Sequence, residues 1–278
     1  MAGTVGVLCT RGRVEEKLLT AALVDAGFVA LSIAPAPGPA ALGPTPSWPL
    51  AVDTASGESA AIIIDRLQDR ALASAVLKLT ADQLPTVSAG TAAVENRLVI
   101  AAQLARAGIA RPTSFIVHDE ASGIEAASLA GFPATFLPLE PKTPGLTLWD
   151  LDTAEAVLEH REMLGQRPDT IGIVQAGSGA GTIRVIVSGG RAIGFEGNEV
   201  LATAVTFDRA VAAAHCLNAE LAGIVFIDSD KGPLVWDIDP APDFRNATPV
   251  GAVSVATAII ERIRSLVGTA IGGALVGA

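Results

Sequence analysis

Aromatic residues and cysteines are scarce in this chain of 278 residues, and its basic residues are outnumbered by acidic ones. Phe and Trp make up 4% of the sequence, Tyr is absent, and 19 Lys and Arg stand against 29 Asp and Glu, for a formal net charge of −10. No window combines clustered Lys or Arg with aromatics, so a nucleic-acid partner is not expected. Cys9 and Cys216 lack the spacing of a metal or redox motif, which predicts two ordinary buried thiols in a reducing compartment.

Long apolar runs and an export signal are also missing from the sequence. The N-terminus has no basic region followed by a long apolar stretch and a cleavage site, which predicts a cytoplasmic protein. Residues 265–278 form an apolar tail, but this segment is too short and too rich in glycine to cross the roughly 30 Å hydrocarbon core of a bilayer. We therefore expect no membrane segment and a tail that packs against the protein.

The composition that is present suits a globular α/β protein, because half of the residues are hydrophobic and glycine and proline are frequent. Residues 4–9 predict a buried strand, residues 13–26 carry apolar positions at helical spacing, and residues 28–34 predict a second strand. Together these segments form a βαβ unit, which favours a parallel α/β fold. The apolar helices and tail also predict a homo-oligomer.

Changes in pattern along the chain predict three parts. They are an N-terminal parallel α/β domain over residues 1–90, a small central α+β domain over residues 91–167, and a C-terminal mixed-sheet domain over residues 168–278.

Three aspartates end or follow two neighbouring strands near the C-terminus. Alternation along a strand puts Asp237 and Asp239 on the same face, and a hairpin between the two strands brings Asp228 towards them. Oxygen ligands of this kind suit Mg²⁺ that carries phosphates. The alternative is that all three are turn and cap residues on an acidic surface.

The segment from residue 223 to residue 246 resembles the end of the ATP-grasp domain in lysine-biosynthesis and RimK-like carboxylate–amine ligases. In those enzymes an Asp at the end of one strand and a Glu-x-Asn pair at the end of the next bind Mg²⁺. Asp228 and the pair Asp237 and Asp239 stand at similar places here, and the following stretch resembles the family's Glu-Phe-Lys-Asn. Further resemblances occur in the family's order at residues 11–19, 104–113, 131–138 and 182–193.

The resemblance implies an ATP-grasp fold and a ligase that phosphorylates a carboxylate with ATP and lets an amine attack the acyl phosphate. The amine is commonly that of an amino acid such as glutamate, and the substrate is a small molecule or a carrier protein. The cofactors implied are ATP and Mg²⁺, with Asp228, Asp237 and Asp239 as metal ligands. The candidate catalytic residues are Arg184 and Arg245, and the candidate nucleotide contacts are Lys142 and Gln175.

Several positions depart from the family pattern. Leu137 stands where the family has a lysine that binds ATP, and the loop over residues 139–145 contains two prolines in place of a glycine-rich loop. Gln175 lies near the position of a ribose-binding carboxylate, and Thr182 replaces an Asp. The alternative function is therefore a catalytically degenerate homologue that acts as a binding or assembly subunit, with Lys142 as a solvated loop lysine and Arg184 paired with a surface carboxylate.

Overall fold

The structure of the protein, a computed structural model, describes residues 3–36, 50–52, 60–80, 84–90, 95–165 and 171–276. Most of the proline-rich stretch at residues 35–49, for which the sequence predicts irregular structure, lies outside these residues. The strands in the described ranges form three separate sheets. The predicted α/β fold class is confirmed. The C-terminal sheet differs in one respect, since a mixed sheet was predicted and all of its strand pairs are antiparallel.

The first sheet is largely parallel and is built from the βαβ unit predicted at the N-terminus. Its strand order is β3-β2-β1-β4-β5, and only β3 runs antiparallel to its neighbour. Leu19 and Leu23 of the first helix are fully buried, as its helical periodicity requires. The elements are β1 (Thr4–Leu8), α1 (Val14–Asp25), β2 (Val29–Pro35), β3 (Leu50–Val52), β4 (Ile62–Asp65), α2 (Arg70–Thr80) and β5 (Thr86–Val87).

The central sheet is antiparallel, with the strand order β6-β9-β7-β8. Phe136 and Val174 pack against two helices on one face, so alternation turns Leu137 and Gln175 to the opposite face. The elements are β6 (Ser114–Val117), α4 (Glu120–Ala130), β7 (Ala134–Pro138), β8 (Leu146–Leu148), α5 (Leu151–Leu164) and β9 (Gly172–Ala176). Strand β9 lies beyond the predicted domain boundary at residue 167. It nevertheless belongs to the central sheet, because its backbone pairs with both β6 and β7.

The C-terminal sheet has the order β13-β12-β10-β11-β14, also antiparallel. Helices α3 and α6 cover one face through Ile100, Leu104 and Ala213, and α7 covers the other through Ile259 and Ile263. The elements are α3 (Arg97–Arg106), β10 (Ile183–Ser188), β11 (Arg191–Gly197), a 3₁₀ turn (Glu199–Leu201), α6 (Ala204–Cys216), β12 (Leu221–Ile227), β13 (Leu234–Asp239), β14 (Thr248–Pro249) and α7 (Val255–Val276).

Helix α7 shares its apolar cluster with β1 and α1, which joins the N-terminal and C-terminal sheets. No helix in the described ranges combines the length and the apolar run that a membrane crossing requires.

Candidate functional site

Asp237 and Asp239 lie on one face of β13, and each is bound by cations that come from other parts of the chain. Arg97, the first residue of α3, donates two hydrogen bonds to Asp237, from Nη2 to Oδ2 at 2.7 Å and from Nε to Oδ1 at 3.0 Å. Its remaining N–H groups donate to the carbonyls of Pro138, Glu140 and Pro141, each at 2.7 Å. All five guanidinium N–H groups therefore have acceptors, and the side chain is only 5% exposed.

Asp239 is held by two cations. Lys142 Nζ lies 2.6 Å from Oδ1 and Arg184 Nη1 lies 2.9 Å from Oδ2, while the Ala241 amide donates to Oδ1 at 3.2 Å. Burial alone raises the pKa of Asp239, but Lys142 and Arg184 outweigh burial, so the pKa lies below its usual range. Asp239 is therefore ionised at neutral pH, and Lys142 is a partner of this carboxylate and not a solvated loop lysine.

Arg184, the second residue of β10, connects Asp239 to a second carboxylate. Its Nη2 donates to Glu196 and, at 3.1 Å, to the Asp243 carbonyl. We call the set Arg97, Lys142, Arg184, Asp237 and Asp239 the charged cluster. It collects side chains from α3, from the loop after β7, from β10 and from β13, so it lies where the central and C-terminal sheets meet.

Asp228, the third predicted metal ligand, does not join this cluster. The antiparallel register pairs Ile227 with Leu234, Val225 with Asp237, and Gly223 with Asp239, so Asp228 lies at the turn end of the hairpin. It is exposed and accepts a hydrogen bond from the Ser229 amide. In the described part of the chain no group of three or more Asp, Glu, His or Cys residues is arranged to hold a metal ion.

Val225, directly across from Asp237, explains part of this result. An apolar side chain on the neighbouring strand supplies no oxygen ligand, so β12 contributes no carboxylate beside Asp237. The donor set that remains is two carboxylates. This set still suits Mg²⁺, which commonly binds one or two protein carboxylates and takes its other ligands from water and substrate phosphates.

Gln175 is fully buried and its amide joins the two sheets. Its Oε1 accepts from Arg111 at 3.1 Å and from Ser114 at 3.2 Å, and its Nε2 donates to the Trp236 carbonyl at 3.2 Å. The indole of Trp236 packs against Gly177 and Gly179, where an added Cβ at Gly179 would come within 2.9 Å of the ring. The glycine-rich segment after β9 is therefore a close-packed connection.

Leu137, where the resemblance predicts a lysine, is buried on the face of the central sheet that lies opposite α4 and α5. The loop after β7 folds over this face, since a Cβ added at Gly145 would lie 2.7 Å from Leu137 Cδ2. Beside it, Thr135 Oγ1 donates to the Gly177 carbonyl at 2.7 Å. The space next to β7 is therefore occupied by the protein's own side chains and loop.

Arg245 lies apart from the charged cluster, on the rim of a polar pocket. Its side chain is 53% exposed, and its Nε is 3.8 Å from Glu15 Oε1. The polar pocket has a volume of about 130 Å³ and lies between α1 and the C-terminal sheet. It is lined by Glu15, Arg184, Glu196, Asp243, Arg245 and Asn246. Arg184 belongs to both sites, so the pocket adjoins the charged cluster.

Two arginines that sequence reasoning missed hold these sites in place. Arg66 is fully buried and donates to Glu16 Oε1 at 3.1 Å, to the Pro242 carbonyl at 2.8 Å and to Asp243 at 3.4 Å, which fixes the loop after β13 against the first sheet. Arg97 stands in the first turn of a helix, where the helix dipole disfavours a cation. That unfavourable position was a signal in the sequence that Arg97 has an acidic partner elsewhere.

Solved ligases have a fold similar to that of this chain. A RimK-domain ATP-grasp protein from Sphaerobacter thermophilus matches with a TM-score of 0.70 and 25% sequence identity, over 94% of this chain and 99% of the other. The ATP-grasp ligase PsnB, solved with a precursor peptide and AMPPNP, matches with a TM-score of 0.64 and 16% identity, over 95% and 98%. The D-alanine–D-alanine ligase from Coxiella burnetii matches with a TM-score of 0.66 and 15% identity, over 98% and 94%.

A scan against protein-family models finds no match. The structural matches nevertheless extend over almost the whole chain and confirm the resemblance on which the fold expectation rested. The protein has the ATP-grasp fold, and its solved neighbours are ATP-grasp ligases, a RimK-domain protein among them.

Proposed function

We propose that this chain is an ATP-dependent ligase that joins a carboxylate to an amine, with the charged cluster as its nucleotide and metal site. The observation that carries the proposal is that three basic side chains and two carboxylates converge where the central and C-terminal sheets meet. Such a mixture suits a magnesium nucleotide, because the carboxylates match the metal and the cations match the phosphates. The ligase PsnB, which shares the fold, has been solved with Mg and ADP.

The ion pairs of the charged cluster describe the proposed site without nucleotide and metal. Asp237 and Asp239 would hold Mg²⁺, which neutralises phosphate charge when it is bound. Arg97, Lys142 and Arg184 would then exchange carboxylate oxygens for phosphate oxygens. Gln175 contributes indirectly, because its amide fixes the backbone of Trp236 next to Asp237.

The polar pocket is the proposed site for the group that is joined. Arg184 and Arg245 supply positive charge for a carboxylate, and Glu15 and Glu196 supply negative charge for an amine, so the lining suits an amino acid such as glutamate. A volume of about 130 Å³ holds the charged end of such a molecule and leaves the rest, on a small molecule or a carrier protein, outside. PsnB, which has a similar fold, has been solved in complex with a precursor peptide, and this supports a polypeptide as one possible partner of the proposed site.

Calorimetric titration with ATP and Mg²⁺ tests the nucleotide site. The wild-type protein should bind ATP only weakly without Mg²⁺, and the double variant Asp237→Asn/Asp239→Asn should lose the effect of Mg²⁺. Asp228→Asn is the matched control, since it removes the same charge from the turn end of the same hairpin and should bind like the wild type. Equal effects of Mg²⁺ in the wild type and in the double variant would rule out the charged cluster as the metal site.

A second candidate function is that of a catalytically degenerate homologue, a binding or assembly subunit. Leu137 and Val225 favour it, since neither can contact phosphate or metal, and so do the bonds from Gln175 to Trp236 and from Thr135 to Gly177 that close the two sheets together. This function predicts no heat with ATP and Mg²⁺ for the wild type or any variant.

The homo-oligomer expected from the sequence stays a prediction, which light scattering at micromolar concentration tests.

A further inference from the structure

A separate, mostly apolar cavity of about 340 Å³ lies between α3 and the edge of the central sheet. Helix α3 uses Ile100 and Leu104 to pack on the C-terminal sheet, and its adjacent face turns Leu98, Ala101 and Ala102 towards the cavity. Because alanine side chains are short, this face does not fill the space in front of β6 and β9. The volume is in the range of small-molecule sites, which are typically about 300–1,000 Å³.

The opposite wall is also apolar and opens to solvent at one side. Ile173 of β9 and Ile116 of β6 project from the face of the central sheet that α4 and α5 leave uncovered. Strand β6 is the edge of its sheet, and Ile116 is 64% exposed. A ligand can therefore enter beside Ile116 without separating the two sheets.

One charged residue, Arg111, lines this cavity and has little to neutralise it. Its Nη2 donates to the uncharged Gln175 oxygen at 3.1 Å, and its Nε is buried without a partner. No salt bridge within the described residues includes Arg111, and the nearby Asp237 is already bound by Arg97. Burial lowers the pKa of Arg111, and the charge of Asp237 offsets this only in part.

An arginine stays protonated at any physiological pH, so this wall keeps a positive charge against an apolar space. Buried guanidinium groups are ordinarily paired, because an uncompensated charge away from water is costly. A bound carboxylate would remove that cost and satisfy the free Nε. The single cation matches one negative charge, whereas a phosphate dianion would bring a second charge into the same apolar walls.

We propose that the cavity binds a small monocarboxylate with an apolar body, its carboxylate on Arg111 and its hydrocarbon part between α3 and the edge of the central sheet. This site is distinct from the charged cluster and from the polar pocket, and the proposal does not depend on ligase activity. The Arg111 guanidinium and the neighbouring Ser114 hydroxyl provide polar contacts at one end. Leu98, Ala102, Ile116 and Ile173 enclose the other end.

Titration of the full chain with octanoate, followed by calorimetry, tests the proposal, with 1-octanol as an uncharged probe of the same chain length. Octanoate should bind the wild type, and octanol at least about tenfold more weakly, because it lacks the charge-assisted hydrogen bonds. Arg111→Met should weaken octanoate binding by a similar factor. Arg106→Gln removes an exposed arginine from the end of α3, the helix that forms one wall of the cavity, and should leave binding unchanged.

A cavity-filling variant separates the site from a general loss of structure. Ala102→Leu adds apolar volume inside the cavity and leaves every charge in place, so it should also weaken octanoate binding at least about tenfold, with an unchanged circular dichroism spectrum. The proposal is overturned if the wild type does not bind octanoate. Equal binding by the wild type and Arg111→Met, or by the wild type and Ala102→Leu, overturns it as well.

Discussion

Two arginines, Arg97 at the start of helix α3 and Arg111 in the segment after it, lie close to the same junction of sheets, and their surroundings differ. Arg97 begins the helix and has an acceptor for each of its five N–H groups, including both oxygens of Asp237. Arg111 follows the helix and has one uncharged acceptor, with its Nε buried and unpartnered. In the unliganded chain, therefore, the charge of Arg97 is neutralised by a carboxylate of the protein, whereas Arg111 has no carboxylate partner among the described residues.

Replacing Arg97 should have the largest effect on stability. Arg97→Met leaves Asp237 charged and largely removed from water, and it frees three loop carbonyls, so the free energy of unfolding should fall by about 3–5 kcal/mol. Urea unfolding followed by circular dichroism measures this. A loss below about 1 kcal/mol would mean that water replaces the guanidinium easily and that Arg97 is no structural cation.

Asp239 should have an intermediate effect that depends on pH. Its pKa is lower in the folded than in the unfolded chain, so its contribution is fully present above the unfolded value, near 4, and is lost as the pH falls through the folded pKa. Asp239→Asn should lower the free energy of unfolding by about 2 kcal/mol at neutral pH, through lost charge-assisted hydrogen bonds. It should also flatten the pH dependence below pH 4, which urea unfolding at a series of pH values measures. An unchanged acid limb would contradict the pairing with Lys142 and Arg184.

Replacing Arg111 should have the smallest effect on the unliganded protein. Arg111→Met removes a desolvated cation whose only hydrogen bond in the described part of the chain is to a neutral acceptor. The free energy of unfolding should therefore fall by less than about 1 kcal/mol or rise, since the cost of burying the charge is removed as well. The same unfolding experiment used for Arg97→Met measures it. A loss as large as that of Arg97→Met would erase the distinction between the two arginines.

The sequence allowed the first βαβ unit and the fold to be predicted, because strands β1 and β2 and helix α1 carry clear local patterns. Strands β3, β8 and β14 were not predicted, since two or three residues are too few to show alternation. Strand β9 falls in the part that was assigned to the C-terminal domain, since it begins after residue 167. Its partners β6 and β7 are set by pairing over distance, which a local pattern does not encode.

The candidate site was predictable only in part. Alternation correctly put Asp237 and Asp239 on one face. Lys142 was predicted as a nucleotide contact and Arg184 as a catalytic residue, and their contacts with Asp239 were not predicted. The position of Asp228 depends on the register of β12 and β13, which puts Val225 across from Asp237. Arg97 is 140 residues from Asp237 along the chain, and no local pattern pairs two residues so far apart.

Trapping of the acyl phosphate tests the proposed ligase function most directly. The protein is incubated with ATP, Mg²⁺ and a panel of small carboxylates and of peptides that end in glutamate, and hydroxylamine takes the place of the amine and captures an activated carboxylate as a hydroxamate while ADP and phosphate are released. We expect ADP and hydroxamate in equal amounts with the wild type and with Asp228→Asn, and neither product with Asp237→Asn/Asp239→Asn. If the folded wild type forms no more of either product than the double variant does with every carboxylate of the panel, the chain is not a ligase for this substrate class and the degenerate function is favoured.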